Sequence, residues 1–257
     1  MRYAWDQFDA YFGPERVGTL RSRYFYRPVL ARLARWDRDT AVRVDRFVAN
    51  SRHVAGRIRR YYDRESTIVY PPVDTAFYQP APGDAATSAF LIVSAMVPYK
   101  RLDLAVAACT QAGIPLRIVG DGPDRARLER QAGPTVTFLG PVPPEGIRDE
   151  YRRARAVILP GEEDFGIVPV EAQACGTPVV ALARGGALET VIDGETGVLF
   201  AEPAVSALRG ALERASSARF DRVRIRAHAE QFSRPRYLHE MRSVINETLA
   251  APPETRW

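Results

Sequence analysis

The chain has 257 residues and a mass of 28.6 kDa, with 46% apolar and 26% charged residues. That is the composition of a globular protein with a real core, and it excludes a disordered or collagen-like chain. The longest apolar run, residues 89–98 (AFLIVSAMVP), is about half of what a bilayer-crossing helix needs. The opening MRYAWDQFDAYF carries acids and aromatics where a secretory leader has a basic stub and an apolar stretch, so a cytoplasmic location is expected. The formal net charge of +5 is unevenly spread: residues 14–64 hold fourteen arginines against five acids, net +9, which leaves the remainder at −4. Such a segment suits a solvated face or a peripheral contact with an anionic membrane.

In chain order, helical patterns are expected over residues 3–11, 24–38 and 51–61, with short strands at 46–49 and 67–69. Two strands are too few for an independent sheet, so residues 1–74 read as the remnant of an N-terminal domain. The Pro71–Pro72 pair and the Pro/Gly/Ala stretch 79–86 mark residues 75–86 as a linker. From residue 87 onward, short branched runs alternate with amphipathic stretches, the signature of a parallel sheet built from βα units. Strands are expected at 90–94, 116–119, 136–139, 156–159, 179–181 and 198–200, with helices at 102–112, 123–132, 144–154 and 168–174 between them. Helices at 203–215, 221–232 and 236–249 follow. The expected fold class is α/β, a doubly wound parallel sheet over residues 87–232. Residues 233–257 form a C-terminal helix and tail that return to the N-terminal part.

Two cysteines, Cys109 and Cys175, cannot build a disulfide framework, and His53, His228 and His239 lack metal-ligand spacing, so no metal and no cofactor is expected. The histidines fall on polar stretches that read as surface. Thirty-five of the thirty-six basic residues are arginine, and Lys100 is the single lysine. A compact ammonium is not interchangeable with a planar guanidinium, which makes Lys100 a candidate for a specific task. Its plain alternative is an exposed residue at a helix start, where a cation is mildly unfavourable.

The densest cluster of chemistry is the string from Pro160 to Val180, PGEEDFGIVPVEAQACGTPVV. It reads as a strand, an acidic glycine-bearing loop and a helix, with Pro169 early and Gly176 just past the end. The backbone amides from about Phe165 to Val168 then open at a helix N-terminus, where a phosphate is favoured. Glu163 and Glu171, eight positions apart, can accept hydrogen bonds from sugar and ribose hydroxyls. Either glutamate taken alone reads as well as a dipole partner or a solvated acid.

The string EDFGIVPVEAQACGTPVV resembles the E-x7-E region of retaining nucleotide-sugar glycosyltransferases of family 4. MVPYKRLDLAV (Met96 to Val106), VGDGP (Val119 to Pro123) and GGALETVIDGETGVLF (Gly185 to Phe200) match that family in order and spacing. The patterns at Asn50–Arg52, Tyr70–Asp74 and Phe232–Ser233 also fit, and MRYAWDQFD resembles an internal segment of a mannosyltransferase-like subgroup. The resemblance implies a GT-B enzyme of two Rossmann-like domains, N-terminally truncated here. It implies Lys100 on the donor pyrophosphate, Glu163 on donor-sugar hydroxyls, the Phe165, Gly166 and Ile167 amides on sugar and phosphate, and Glu171 on the ribose. Gly120, Asp121 and Gly122 would point at the same cleft or simply reverse the chain, and Gly185, Gly186 and Glu189 would either approach the phosphates or form a tight turn capped by an acid. Ala95 stands where many members have arginine; Arg101 can take that place or be an ordinary solvated arginine.

The function so implied is transfer of a hexose, mannose favoured, with retention, from GDP-mannose or a similar nucleotide sugar to a polysaccharide or lipid-linked saccharide. A fragment that binds nucleotide sugar without transferring it is one alternative, and a sugar-nucleotide epimerase of similar fold is another. A nucleic-acid partner is not expected, because no aromatic and basic platform accompanies the arginine cluster.

Overall fold

A computed structural model describes residues 6–80 and 87–251. Contacts within the chain divide it into two compact units, the first made of the described residues of Met1–Ala49, Val54–Ile68 and Met241–Trp257, the second of Asn50–His53 and the described residues of Val69–Glu240.

The second unit holds a six-stranded, all-parallel sheet. Its strands are β3 (Phe90–Val93), β4 (Leu116–Val119), β5 (Val136–Gly140), β6 (Val157–Leu159), β7 (Val179–Leu182) and β8 (Gly197–Phe200). They lie in the order β5-β4-β3-β6-β7-β8. The chain winds outward from β3 to one edge, returns beside β3 with β6, and winds outward again, which places a topological switch point between β3 and β6. Both faces are covered, so these strands are short apolar runs rather than alternating ones. On one face Phe90, Ile92, Ile118, Ile158, Val180 and Leu182 pack with helix α3 (Leu102–Ala112) and α7 (Val205–Ser217). On the other, Leu91, Val157, Leu159, Val179 and Ala181 pack with α5 (Pro144–Arg153) and α6 (Ile167–Ala174). The alternation of neighbouring residues between the two clusters is the period-2 geometry of a strand. This unit also holds α4 (Arg125–Gln131), a single helical turn at Ala187–Thr190, α8 (Arg222–Glu230) and the start of α9 (Arg234–Ala250), whose residues from Met241 on cluster with the first unit. Cys109 and Cys175 are buried in opposite faces, and burial pushes each thiol up to about 12, so both are packing residues.

The first unit carries α1 (Arg27–Thr40), preceded by a π turn over Ser22–Tyr26, and a two-stranded parallel pair, β1 (Phe47–Ala49) and β2 (Ser66–Ile68), joined through α2 (Arg52–Tyr62). Of the helix expected over 3–11, residues 1–5 lie outside the described part and the rest forms Phe8–Phe12. The linker stretch 81–86 and the tail 252–257 also lie outside it.

Two sequence boundaries move. Residues 50–53 and 69–74, assigned above with the N-terminal remnant, cluster with the second unit, as do 75–80, assigned to the linker, and 233–240, assigned with the C-terminal tail. The cause is an aromatic knot: Tyr70, Phe165 and Phe232 have ring centroids 5.4–5.7 Å apart, and the Val73 amide donates to the Phe232 carbonyl at 2.9 Å. Local pattern reads Pro-Pro as a linker, but aromatic burial of this size outweighs it.

Within the first unit, Ala34 is buried while Phe25, Val29, Leu33 and Trp36 stand exposed at spacings of four, four and three. Among the described residues this is an exposed apolar stripe on a helical surface. Replacing Phe25 with Ser and Trp36 with Gln should raise the monomer fraction in sedimentation velocity, with helical content unchanged.

Candidate functional site

The loops that leave the carboxyl ends of β3 and β6 meet over the switch point. After β3 the chain makes a 3-10 turn, Pro98–Lys100, and Arg101 then adopts a left-handed conformation, φ +53°, before α3 begins. After β6 comes Gly161, where a Cβ would stand 2.6 Å from the Tyr99 carbonyl oxygen and 2.8 Å from that of Lys100. Only glycine admits this approach, and it brings the two loops together. The Lys100 ammonium lies in hydrogen-bond contact with Glu163 Oε1, with the two side chains only 22% and 12% exposed. The same ammonium stands 5.1 Å from the Tyr99 ring centroid. An ion pair so little exposed is costly to desolvate and is poor evidence of a stability device; it is better suited to meet a charged or hydroxyl-rich ligand.

The turn after β7 closes the Glu163 side of the site. The Gly186 amide donates to the Glu163 carbonyl at 2.8 Å, and a Cβ on Gly186 would stand 2.3 Å from the Phe165 Cα. Phe165 itself is 3% exposed, its ring locked in the aromatic knot, so it can offer a ligand only its backbone. Gly166 then leads into α6, whose first residue, Ile167, is exposed. The Gly120–Gly122 turn after β4 lies against the end of β3: the Met96 amide donates to the Asp121 carbonyl at 2.8 Å, and Asp121 Oδ1 accepts from the Gly122 amide at 2.7 Å. Lys100, Glu163, Gly120, Asp121, Gly122, Phe165 and Gly166 thus lie on loops at the carboxyl ends of the strands, with Ile167 opening the helix that follows, where ligands of doubly wound sheets bind.

Arg101 is turned toward Asp103, with its Nε 3.2 Å from Oδ1, and so enters the site already partnered. Glu171 lies on the second turn of α6, half-buried. Tyr151 Oη donates to its Oε2 at 2.8 Å, and Tyr78 also hydrogen-bonds to it. Burial raises the Glu171 carboxyl above its ordinary value, and the two phenols pull it back down.

Two expectations need correction. Glu189, matched by resemblance to a phosphate-side position, is occupied elsewhere: its carboxylate accepts from the amides of Arg52 at 2.8 Å and His53 at 3.1 Å and from Tyr70 Oη at 3.0 Å. It ties down the Asn50–His53 and Tyr70 segments, because unpaired amides at a helix start need an acceptor. His228, read as a surface residue, is half-buried against Phe232 with its Nε2 3.2 Å from the Thr190 carbonyl oxygen. Sequence reasoning also missed Gly161, Tyr78 and Tyr151. A glycine two residues past a strand was the available signal for the first; Tyr151, an aromatic on an amphipathic helix, signals only core, and Tyr78 falls in a stretch that reads as linker. Among the described residues, no three His, Cys, Asp or Glu side chains gather into a group that could hold a metal ion.

Residues 83–232 match the family model described as glycosyl transferases group 1. The D-inositol 3-phosphate glycosyltransferase of Rhodococcus erythropolis is 34% identical over 223 residues, covering 74% of this chain and 50% of that protein. The Streptomyces avermitilis protein of the same description is 33% identical over 227 residues, covering 73% and 48%. The chain spans about half the length of the curated relatives it matches. Among solved structures, Anabaena HepE in complex with UDP aligns with a TM-score of 0.74 at 22% identity, over 83% of this chain and 67% of that one. Sucrose-phosphate synthase from Thermosynechococcus elongatus aligns at 0.71 and 23%, over 94% and 66%. At such identities these structures speak for the GT-B type of fold alone.

Two outcomes follow from the geometry. Lys100→Met leaves the Glu163 carboxylate poorly exposed and without its cation, and should lower unfolding free energy by about 1–3 kcal/mol in denaturant titration; Glu163→Gln in the same background should recover part of it. Burial lowers the His228 pKa below its ordinary 6.5, so the unfolded chain takes up a proton that the folded chain refuses. Stability from this residue is present above the ordinary value and is lost as pH falls from there toward the depressed folded value. His228→Gln should flatten the fall in Tm between about pH 7 and about pH 5.

Proposed function

From the premise that this chain belongs to the group 1 glycosyl transferases, we propose that its second unit binds a nucleoside diphosphate hexose and serves transfer of the hexose with retention. The observation that carries this is the meeting of Lys100 and Glu163 over the switch point between β3 and β6. In the donor complex each changes partner. Lys100 takes the pyrophosphate and stabilises the negative charge that grows on the leaving nucleotide as the glycosidic bond breaks. Glu163, released, accepts hydrogen bonds from the sugar hydroxyls and keeps the anomeric carbon in place. The amides around Gly166 and Ile167, at the start of α6, add donors for phosphate or sugar oxygens. Glu171 receives the ribose hydroxyls, and the Gly120–Gly122 turn and Arg101 complete the nucleotide side. The nucleotide leaves from the face at which the acceptor attacks, so the step asks for charge stabilisation rather than a protein nucleophile.

Mannose from GDP-mannose is the donor that the resemblance of the Met1–Asp9 segment favours, with a polysaccharide or lipid-linked saccharide as acceptor at the cytoplasmic face of a membrane. The arginine-rich residues 14–64 suit a peripheral contact with an anionic surface. A UDP-sugar is the second reading, supported by the complexes of HepE with UDP and with UDP-glucose. A phosphorylated polyol as acceptor is supported by the name of the inositol 3-phosphate relatives.

Calorimetric titration with UDP, GDP, UDP-glucose and GDP-mannose tests the reading. One base should bind. Lys100→Ala should weaken that nucleotide at least about tenfold, equivalent to about 1.4 kcal/mol. Glu163→Gln should weaken the nucleotide sugar more than the bare nucleotide. A folded protein that binds none of the four would overturn the proposal.

A further inference from the structure

We propose that Tyr78 and Tyr151 are positioning residues for the donor, clamping the Glu171 carboxylate in the orientation in which it receives the ribose hydroxyls. The inference rests on the donor-site reading above and names two residues that the family match does not single out. Tyr151 is fully buried near the end of α5, in the cluster that packs β3, β6 and β7 from one face. A phenylalanine there would fill the same space. The hydroxyl, and the half-buried carboxylate it meets at 2.8 Å, carry a desolvation cost that an apolar pair would not. Glu171 lies in the second turn of α6, the helix whose start carries Gly166 and Ile167 at the carboxyl end of β6.

Tyr78 comes from a different part of the chain and reaches the same carboxylate, its ring 5.7 Å from that of Tyr151 and inclined at 62°. It is held there by one guanidinium. Arg226 of α8 donates to the Tyr78 carbonyl at 3.1 Å, to the Ala174 carbonyl at the end of α6 at 2.7 Å and to the Thr75 carbonyl at 3.1 Å. The segment bearing the second phenol is therefore fastened to the helix bearing the carboxylate. Two donors on one carboxylate fix its plane and leave its other lone pairs for a diol.

The groups facing this carboxylate are the two phenols and the Cys175 thiol just past the end of its own helix. Arg148, Arg152 and Arg226 act on that thiol, and Asp74 acts on Tyr78. Burial holds the Glu171 pKa up and each phenol lowers it, so removing a phenol moves its titration upward. The acidic limb of nucleotide binding then moves to higher pH, because a protonated carboxyl accepts fewer hydroxyls.

The test follows the Glu171 side-chain carboxyl carbon by 13C NMR across the acid range, assigned by its loss in Glu171→Gln, together with UDP and GDP titrations of wild type, Tyr78→Phe, Tyr151→Phe and the double variant. Each substitution should raise the Glu171 midpoint and weaken the nucleotide that binds wild type by about tenfold, and neither should weaken it further in a Glu171→Gln background. Tyr78→Phe, at a half-buried site, keeps the test decisive if Tyr151→Phe does not fold. An unmoved midpoint, or unchanged nucleotide affinity in folded variants, overturns this proposal alone. Wild type that binds neither UDP nor GDP overturns the donor-site reading and this proposal with it.

Discussion

An ammonium and a carboxylate sixty-three positions apart in sequence meet where the sheet reverses its winding. Much else in the second unit is arranged to permit that meeting. The order β5-β4-β3-β6-β7-β8 makes β3 and β6 neighbours although two strands separate them in the chain. The loops after those strands, and no others, leave the sheet side by side in opposite winding directions, opening a crevice between them. Gly161 removes the side chain that would hold the loops apart, and the turn through Gly185 and Gly186 supports the Glu163 backbone from β7.

Around this pair, polar side chains are divided between binding and holding. Lys100 and Glu163 satisfy one another in a way that a polar ligand can replace on both sides. Glu189 and Arg226 do the opposite: each spends most of its hydrogen bonds on backbone groups of other segments, Glu189 adding the Tyr70 phenol and Arg226 the Glu230 carboxylate. A carboxylate that accepts two amides and a phenol, or a guanidinium that spans three carbonyls, is saturated, and its work is to fix loops that have no ladder of their own. The aromatic knot of Tyr70, Phe165 and Phe232 adds the apolar part of that work and explains why Phe165, inside the acidic loop, is buried.

The strands and helices of the second unit were legible because their signals are local. Short branched runs such as FLIV and VVAL read as strands buried on both faces, and the expected bounds differ from the observed ones by a residue or two at most in every strand. Lys100, Glu163 and Glu171 stood out as candidates for another reason: a lone lysine among arginines and a glycine-bearing acidic loop ahead of a helix are odd as packing, and the structure brings the first two into contact. What the reading missed lies in contacts across the sequence. Tyr151 carries the same pattern whether its hydroxyl is idle or meets Glu171, and Glu189 looks alike as a phosphate-side acid and as a backbone cap.

Sequence alone determined the α/β class, the order of elements from β3 to α7, and the polar residue types that the loops after the strands carry, because periodicity, turn chemistry and charge act within a few residues. Tertiary structure decided which of those residues face one another. It paired Lys100 with Glu163, turned Arg101 onto Asp103, set two phenols on Glu171 and drew residues 50–53 and 69–74 into the second unit. These outcomes depend on strand order and on close approaches between loops far apart in the chain, and short-range pattern carries no information about either.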